Sequence, residues 1–248
     1  MNENIYSLPW GKDCKIIHSD PVGLIVIDKA TGILSHPNKK NHQGNPKKQF
    51  SLLNLDYNQT DESYLTVNGN KLFLLHRLDS PTSGLIMVAT SKTLAIAMKN
   101  LFRKNMIHKT YHAVIAQKQR LQVGNWIDSL TEIKNKGNIR MARGKGVPAK
   151  TFCKLEKYLG GKYKLALLKL CPETGRTHQI RVQAASRKMP IIGDNSYGDF
   201  TINRQIKKEI KISRMLLHAS NIEFQLGTKT YKFKSPLPEP FGKLTNQS

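Results

Sequence analysis

Lys71-Leu-Phe-Leu-Leu-His-Arg-Leu-Asp-Ser-Pro-Thr-Ser-Gly84 is the stretch on which the rest of the chain depends. Leu72 to Leu75 is an apolar run of the length of a short buried strand. His76, Arg77 and Asp79 come directly after it, and Ser80-Pro81 with Ser83-Gly84 supply turn chemistry. A second apolar run, Leu85 to Val88, begins at once. The pattern predicts strand, tight connection, strand, with a carboxylate at the rim of a sheet two residues from an arginine. In a turn, Asp79 can simply accept backbone N–H bonds. As a nucleophile or an acid/base it must keep its charge, and the guanidinium of Arg77 favours that ionised form.

The chain around this stretch is strand-rich. Upstream, Cys14 to His18 and Val22 to Asp28 flank Ser19-Asp20-Pro21 and predict two strands and a turn, after a lead-in over residues 1–13. Residues 38–50 have the composition of a flexible basic loop, and 51–70 show no clear period. Downstream, Ser91 can cap a helix running to about Lys104. Its buried face is Leu94, Met98, Leu101 and Phe102 with Ala97, and its charge is Lys92, Lys99, Arg103 and Lys104. Lys109 to Ala116 predicts a strand with Tyr111, Ala113 and Ile115 on one face. Residues 121–150 predict short strands ending in Arg140 to Gly146, either a mobile basic loop that clamps a polyanion or a plain hairpin tip.

Ala149 to Tyr158 and Tyr163 to Leu170 predict a strand pair joined through Gly160-Gly161. A turn at Thr174-Gly175 predicts a helix to about Lys188, with Thr177 and Arg181 on one face. His178, Val182, Ala185 and Met189 form a second stripe that directs His178 to the core. A short basic helix over 203–211, strands at 215–219 and 231–234, and an extended tail from Pro236, Pro238 and Pro240 complete the chain. Strands outnumber helices and lack regular βαβ alternation, which is compatible with an α+β class.

Composition narrows the partner. Lys and Arg number 40 and Asp and Glu 17, a net charge of 40 − 17 = +23 over 248 residues. Such a surplus favours a polyanion, either nucleic acid or an anionic surface. The apolar runs are strand-sized, far short of the ~18 residues a membrane-spanning helix needs. The N-terminus lacks a signal-peptide pattern. The three cysteines, Cys14, Cys153 and Cys171, form no Cys-x-x-Cys pair, so neither a disulfide framework nor a zinc site is expected. A cytoplasmic, metal-free monomer is the expectation.

His76-Arg-Leu-Asp-x-x-Thr-Ser-Gly84 resembles the signature of the RluA-type pseudouridine synthase family at every defined position. Three further elements resemble the family in the same order. Asp28-Lys-Ala-Thr-Gly-Ile-Leu-Ser-His-Pro37 is similar to its Lys-Pro-x-Gly-x-x-x-His-Pro element, with Ala30 where proline is usual. Gly175-Arg-Thr-His-Gln-Ile-Arg181 is similar to its Gly-Arg-x-His-Gln-Ile-Arg element, followed by Gln183 where many members have histidine. Pro190 to Gly198 is similar to its Pro-Ile-x-Gly-Asp-x-x-Tyr-Gly turn.

The resemblance implies an α+β, largely antiparallel mixed sheet with flanking helices and loops around a central catalytic cleft. It spans roughly residues 14–242 as one catalytic domain, leaves 243–248 as a tail, and leaves no room for the accessory N-terminal RNA-binding domain of many members. It implies an enzyme that isomerises uridine in structured RNA, tRNA or rRNA, without a cofactor. Asp79 becomes the essential carboxylate, Arg181 the arginine that pairs with it, and Tyr111 the ring that stacks on the target base. Arg77, Arg176, His76 and Gln179 become expected substrate contacts. His36 and His178 are expected to be structural. The alternative from a different class is a basic RNA-binding or RNA-chaperone protein on the same fold without the chemistry.

Overall fold

The computed structural model describes residues 4–37, 50–135 and 138–245. The expected basic loop at 38–50 therefore lies, apart from Phe50, outside the described residues. Contacts group the chain into two compact units, Met1–Ile107 and His108–Ser248.

The first unit holds β1 (Lys15–Ser19), β2 (Leu24–Lys29), β3 (Asp56–Asn58), β4 (Ser63–Leu65), β5 (Lys71–Leu74), β6 (Ser83–Ala89) and α1 (Lys92–Arg103). The strands pair antiparallel in the order β3-β4-β5-β6-β2-β1. All seven residues of β6 are buried, so this strand has no solvent face, which explains a continuous apolar run rather than an alternating one. Between β1 and β2 the Asp20 carboxylate accepts the Leu24 N–H at 3.1 Å, closing the expected turn. Ser91 caps α1 as expected, its hydroxyl accepting the Leu94 N–H at 3.2 Å. Leu94, Ala95 and Met98 are buried on that helix, which packs on β5 and β6.

The second unit holds β7 (His108–Ala116), β8 (Gly124–Asn135), β9 (Asn138–Arg143), β10 (Val147–Gly160), β11 (Leu165–Pro172), α2 (Gln179–Ser186), α3 (Phe200–Ile210), β12 (Leu217–Leu226), β13 (Lys229–Lys234) and α4 (Glu239–Thr245). Its antiparallel order is β13-β12-β7-β11-β10-β8-β9. Alternation along the strands divides the core in two. On one face Ala113 and Ile115 of β7 pack with Ala166, Leu168 and Leu170 of β11, Trp126 of β8, and Ile180 and Ala184 of α2. On the other, Val114 and Ala116 pack with Leu165, Leu167, Ile206 of α3, and Phe241 and Leu244 of α4. Each large apolar side chain buried this way stabilises the unit by about 1.5–3 kcal/mol.

The ladders described within each unit are antiparallel and Leu34–Ser51 is a parallel bridge, in line with a largely antiparallel mixed sheet. Other expectations change. The second helix starts at Gln179, not at Thr174-Gly175, because His178 takes a left-handed conformation (φ 54°) that cannot continue a helix. Thr177 is therefore outside the helix and shares no face with Arg181, and His178 is half-buried rather than a core residue. Arg140 to Arg143 belongs to β9, which pairs antiparallel with β8, instead of a mobile loop. The proline-rich end folds into α4, with Pro240 in the first turn, where a missing N–H costs no hydrogen bond.

Candidate functional site

In the first unit Asp79 sits on the connection between β5 and β6, and residues 29–35 brace that connection. Ser35 Oγ donates to the Leu78 carbonyl at 2.7 Å and accepts the Leu78 N–H at 2.9 Å. Gly32 N donates to the Ser80 carbonyl at 2.8 Å, and Thr31 Oγ1 to the Pro81 carbonyl at 2.8 Å. The fully buried Lys29 donates through Nζ to the carbonyls of Ala30 (2.9 Å), Ile33 (2.8 Å) and Ser80 (3.3 Å). An ammonium has three N–H donors, so these three carbonyls match its capacity and offset the cost of removing it from water. The backbone is thus held on both sides of Asp79. Its own carbonyl accepts the Thr82 N–H at 3.0 Å, which closes the turn.

Behind the brace, Tyr64 donates to the Ser35 carbonyl at 2.5 Å, and burial pushes its hydroxyl well above the usual tyrosine range. His36 stacks on Tyr57 with ring centroids 4.9 Å apart and planes 10° from parallel. Burial pushes the Tyr57 hydroxyl up to about 12, helped by Glu62 and opposed by the positive charge of Arg77. Arg77 is exposed, and the half-buried His76 ring lies 5.1 Å from that of Phe102. Of the residues singled out in the sequence, Asp79, Arg77 and His76 share this one connection. Lys29, Thr31, Ser35 and Tyr64 are structural supports that sequence reasoning did not assign. The dense Asp28 to Pro37 motif was the one signal for Lys29, Thr31 and Ser35, and Tyr64 lay in a stretch without one.

In the second unit Arg181 is 4% exposed on α2. Its Nε and one terminal nitrogen donate to the two carboxylate oxygens of Asp194, each at 2.8 Å. Asp194 Oδ1 also accepts the N–H groups of Ser196 (2.8 Å) and Tyr197 (3.0 Å). Burial alone would raise the Asp194 carboxyl, but Arg181 and these N–H groups outweigh it and hold it below the usual carboxylate range. The Arg181 guanidinium lies 5.1 Å from the centre of the Tyr197 ring. Tyr197 Oη in turn meets His178 Nδ1 at 2.8 Å and accepts the Met141 N–H at 2.9 Å. Gly193, at φ +76°, is required here, since a Cβ on it would meet the Arg214 carbonyl oxygen at 2.0 Å.

Tyr111 lies half-buried on β7, packed against the same core face as Ile180 and Ala184 of α2. Gln179 departs from expectation. Its side-chain oxygen accepts Thr174 Oγ1 (2.7 Å) and Arg176 N (3.0 Å), and its nitrogen donates to the Lys150 carbonyl (3.0 Å) and Thr151 Oγ1 (2.9 Å). The buried amide is saturated and shapes the 174–179 turn, leaving no group to offer a substrate. Arg176 is exposed, with Nε donating to the Pro148 carbonyl at 3.1 Å. Gln183 is fully buried and donates to the Asp128 carboxylate at 2.9 Å, which makes it a core amide. Arg143, one of the basic residues expected at a clamp, pairs with Asp128 at 2.7 Å. Among the described residues no group of three or more His, Cys, Asp or Glu is gathered as a metal site would need.

A family model described as RNA pseudouridylate synthase matches residues 23–186, which carry the Asp79 connection, Tyr111 and Arg181. The chain belongs to that family. Its curated relatives include a ribosomal large subunit pseudouridine synthase C of Buchnera aphidicola, 34% identical over 187 residues, covering 71% of this chain and 56% of the relative. A tRNA pseudouridine synthase C of Yersinia pestis is 34% identical, covering 68% of this chain and 70% of the relative. An uncharacterised RNA pseudouridine synthase of Haemophilus influenzae is 34% identical, with 84% and 79% covered. The matched part thus spans little more than half of the Buchnera protein. Among solved structures, human RNA pseudouridylate synthase domain containing 4 aligns with a TM-score of 0.68 at 23% identity, covering 94% of this chain and 92% of that one. That likeness shows the pseudouridine synthase fold, in line with the α+β expectation.

Proposed function

We propose that this chain converts uridine to pseudouridine in a structured RNA. Family membership supports the reaction class, and the observation that carries the reading is the brace around Asp79. Five hydrogen bonds link Lys29, Thr31, Gly32 and Ser35 to the backbone of Leu78, Ser80 and Pro81. A solvated turn does not need a buried ammonium; a carboxylate that must meet one atom of a substrate does. Relatives named for tRNA and for the ribosomal large subunit both occur, so the substrate class is structured tRNA or rRNA.

The reaction breaks the bond from ribose C1′ to uracil N1 and forms one from C1′ to C5. The C5 proton is lost and N1 gains one, so the step is redox-neutral and calls for no cofactor. The target base must leave its stack. Asp79 acts as nucleophile or acid/base on the extruded uridine. Arg181, as the resemblance implies, supplies the positive charge that keeps it ionised. Tyr111 stacks on the base. Arg77 fills the space the uridine vacates or grips a neighbouring phosphate, and Arg176 and His76 are further substrate contacts. The enzyme acts as a monomer in the cytoplasm. No helix among the described residues is long and apolar enough to cross a membrane.

Unmodified tRNA and rRNA fragments, incubated with the wild type and with Asp79→Asn and mapped for pseudouridine by chemical adduct, test this reading. Product should appear with the wild type and fall by about 10⁴-fold or more in the variant, the scale on which an essential nucleophile counts. RNA binding should survive. Turnover retained in Asp79→Asn sinks the assignment. Tight RNA binding without product from either protein supports the RNA-binding alternative.

A further inference from the structure

The face of the second unit's sheet opposite to Tyr111 is covered by α3 and α4 only in part. Where it is bare, β10 turns Lys150, Phe152 and Lys154 outward, while Ala149, Thr151 and Cys153 between them are buried. Across the ladder Lys150 faces Ile127 and Phe152 faces Asn125 on β8. On β11, Cys171 faces Phe152 and Lys169 faces Lys154. Phe152 is 45% exposed and Ile127 64%.

Three features of this patch need a reason. A large aromatic side chain stands on an open sheet face rather than in either core. Lys154 and Lys169 are directly opposed, and like charges so placed destabilise a sheet. No ion pair among the described residues takes up Lys150, Lys154 or Lys169. Of the acids nearby, Glu156 meets His112 at 2.6 Å and Glu173 lies beside Lys150, and neither is ion-paired with any of the three lysines.

We propose that this face is a second RNA-binding surface, which holds a single-stranded segment of the RNA. A base stacks on Phe152, with Ile127 beside it, and Lys150, Lys154 and Lys169 take the flanking phosphates. Open sheet faces with an aromatic platform and surrounding cations suit single strands, whose bases have free π-faces. Same-face residues on a strand are about 6.7 Å apart, so lysines on either side of Phe152 bracket one base and reach the phosphates next to it. A duplex would offer no base to the ring. A protein partner drawn by Phe152 and Ile127 would have to bury three unneutralised ammonium groups. The proposal rests on the reading that the chain works on RNA, but not on catalysis.

The test is binding of a labelled, unstructured RNA of about a dozen nucleotides, the length an open single-strand surface holds. Phe152→Ala should weaken it about tenfold, and Phe152→Trp should restore it, as stacking predicts. Lys154→Glu with Lys169→Glu should weaken it further and lower the salt dependence by roughly two released counterions. All sites are exposed, so melting temperatures should stay at the wild-type value. Turnover of a short stem-loop should keep its kcat, while KM for a longer RNA rises. Equal affinity in every variant, with turnover intact, overturns the surface and leaves the catalytic reading standing; the patch then belongs to a protein partner. Phe152-dependent binding in a protein that forms no pseudouridine on any RNA upholds the surface while the catalytic reading fails.

Discussion

Asp79 and Arg181 are immobilised by opposite devices. The Asp79 connection is held through its backbone, by a buried cation and hydroxyls that donate to carbonyls. Arg181 is held through its side chain, by a carboxylate that accepts two parallel bonds. The first device acts on the main chain on either side of the aspartate; the second acts on the far end of the arginine side chain. The difference follows from length. A short carboxylate is positioned by fixing its Cα, whereas a long guanidinium with several rotors needs a fork at its far end.

Removing the fork has the largest expected cost. Asp194→Ala leaves a guanidinium buried without its counter-charge, a change that costs about 3–5 kcal/mol. The second unit should lose that much in chemical denaturation, and product formation should disappear. If Asp194→Ala melts as the wild type does, the fork is not what holds Arg181.

Acid sharpens the comparison. His218 is fully buried, and burial lowers it to about 4, with Arg214 and His112 adding to the shift and the Ser235 backbone opposing it. Between about 6.5 and 4 the unfolded chain binds a proton that the folded chain does not, so stability falls as pH falls through that window, by roughly 3 kcal/mol in all. The Asp194 carboxyl adds a loss only further down, because its folded value lies below the usual range. The carbonyls that accept from Lys29 do not titrate, so those bonds should persist. Hydrogen exchange at pH 7 and near pH 4.5 should show protection falling first in the second unit, and His218→Gln should flatten the loss. Equal loss in both units would remove the contrast.

How far the sequence carries this contrast depends on the range of each interaction. The β5–turn–β6 element, the Ser91 cap and the Gly160-Gly161 hairpin were legible because period and turn chemistry act between neighbours. The place of Asp79 on that connection was legible because the motif around it is dense. The partner of Arg181 was not: Asp194 lies thirteen positions away across a turn, and no helical or strand period links the two. Gln179 misled for the same reason. A glutamine beside arginines looks available for a ligand until Lys150, Thr151 and Thr174, all distant in sequence or outside its helix, are seen to consume it. Tyr197 is similar, a turn residue by sequence that becomes the platform under Arg181 only in three dimensions.

Removing the brace should cost less stability than removing the fork and leave a cleaner catalytic signature. Lys29→Met keeps the bulk and deletes the ammonium, so its own desolvation cost vanishes while the carbonyls of Ala30, Ile33 and Ser80 lose a donor. Unsatisfied buried acceptors cost about 1–3 kcal/mol, partly offset here by the charge removed. Asp79 keeps its chemistry but loses a fixed position, and small misplacements of a reacting group cost up to about a hundredfold in rate. The expected result is therefore a protein that folds, binds RNA with unchanged KM and turns over ten- to a hundredfold more slowly. Ser35→Ala, which removes one hydroxyl and its two bonds to Leu78, should give a milder form of the same split. A fall in RNA affinity with kcat intact would mean that residues 29–35 serve the substrate directly, and that the two devices differ less than their geometry indicates.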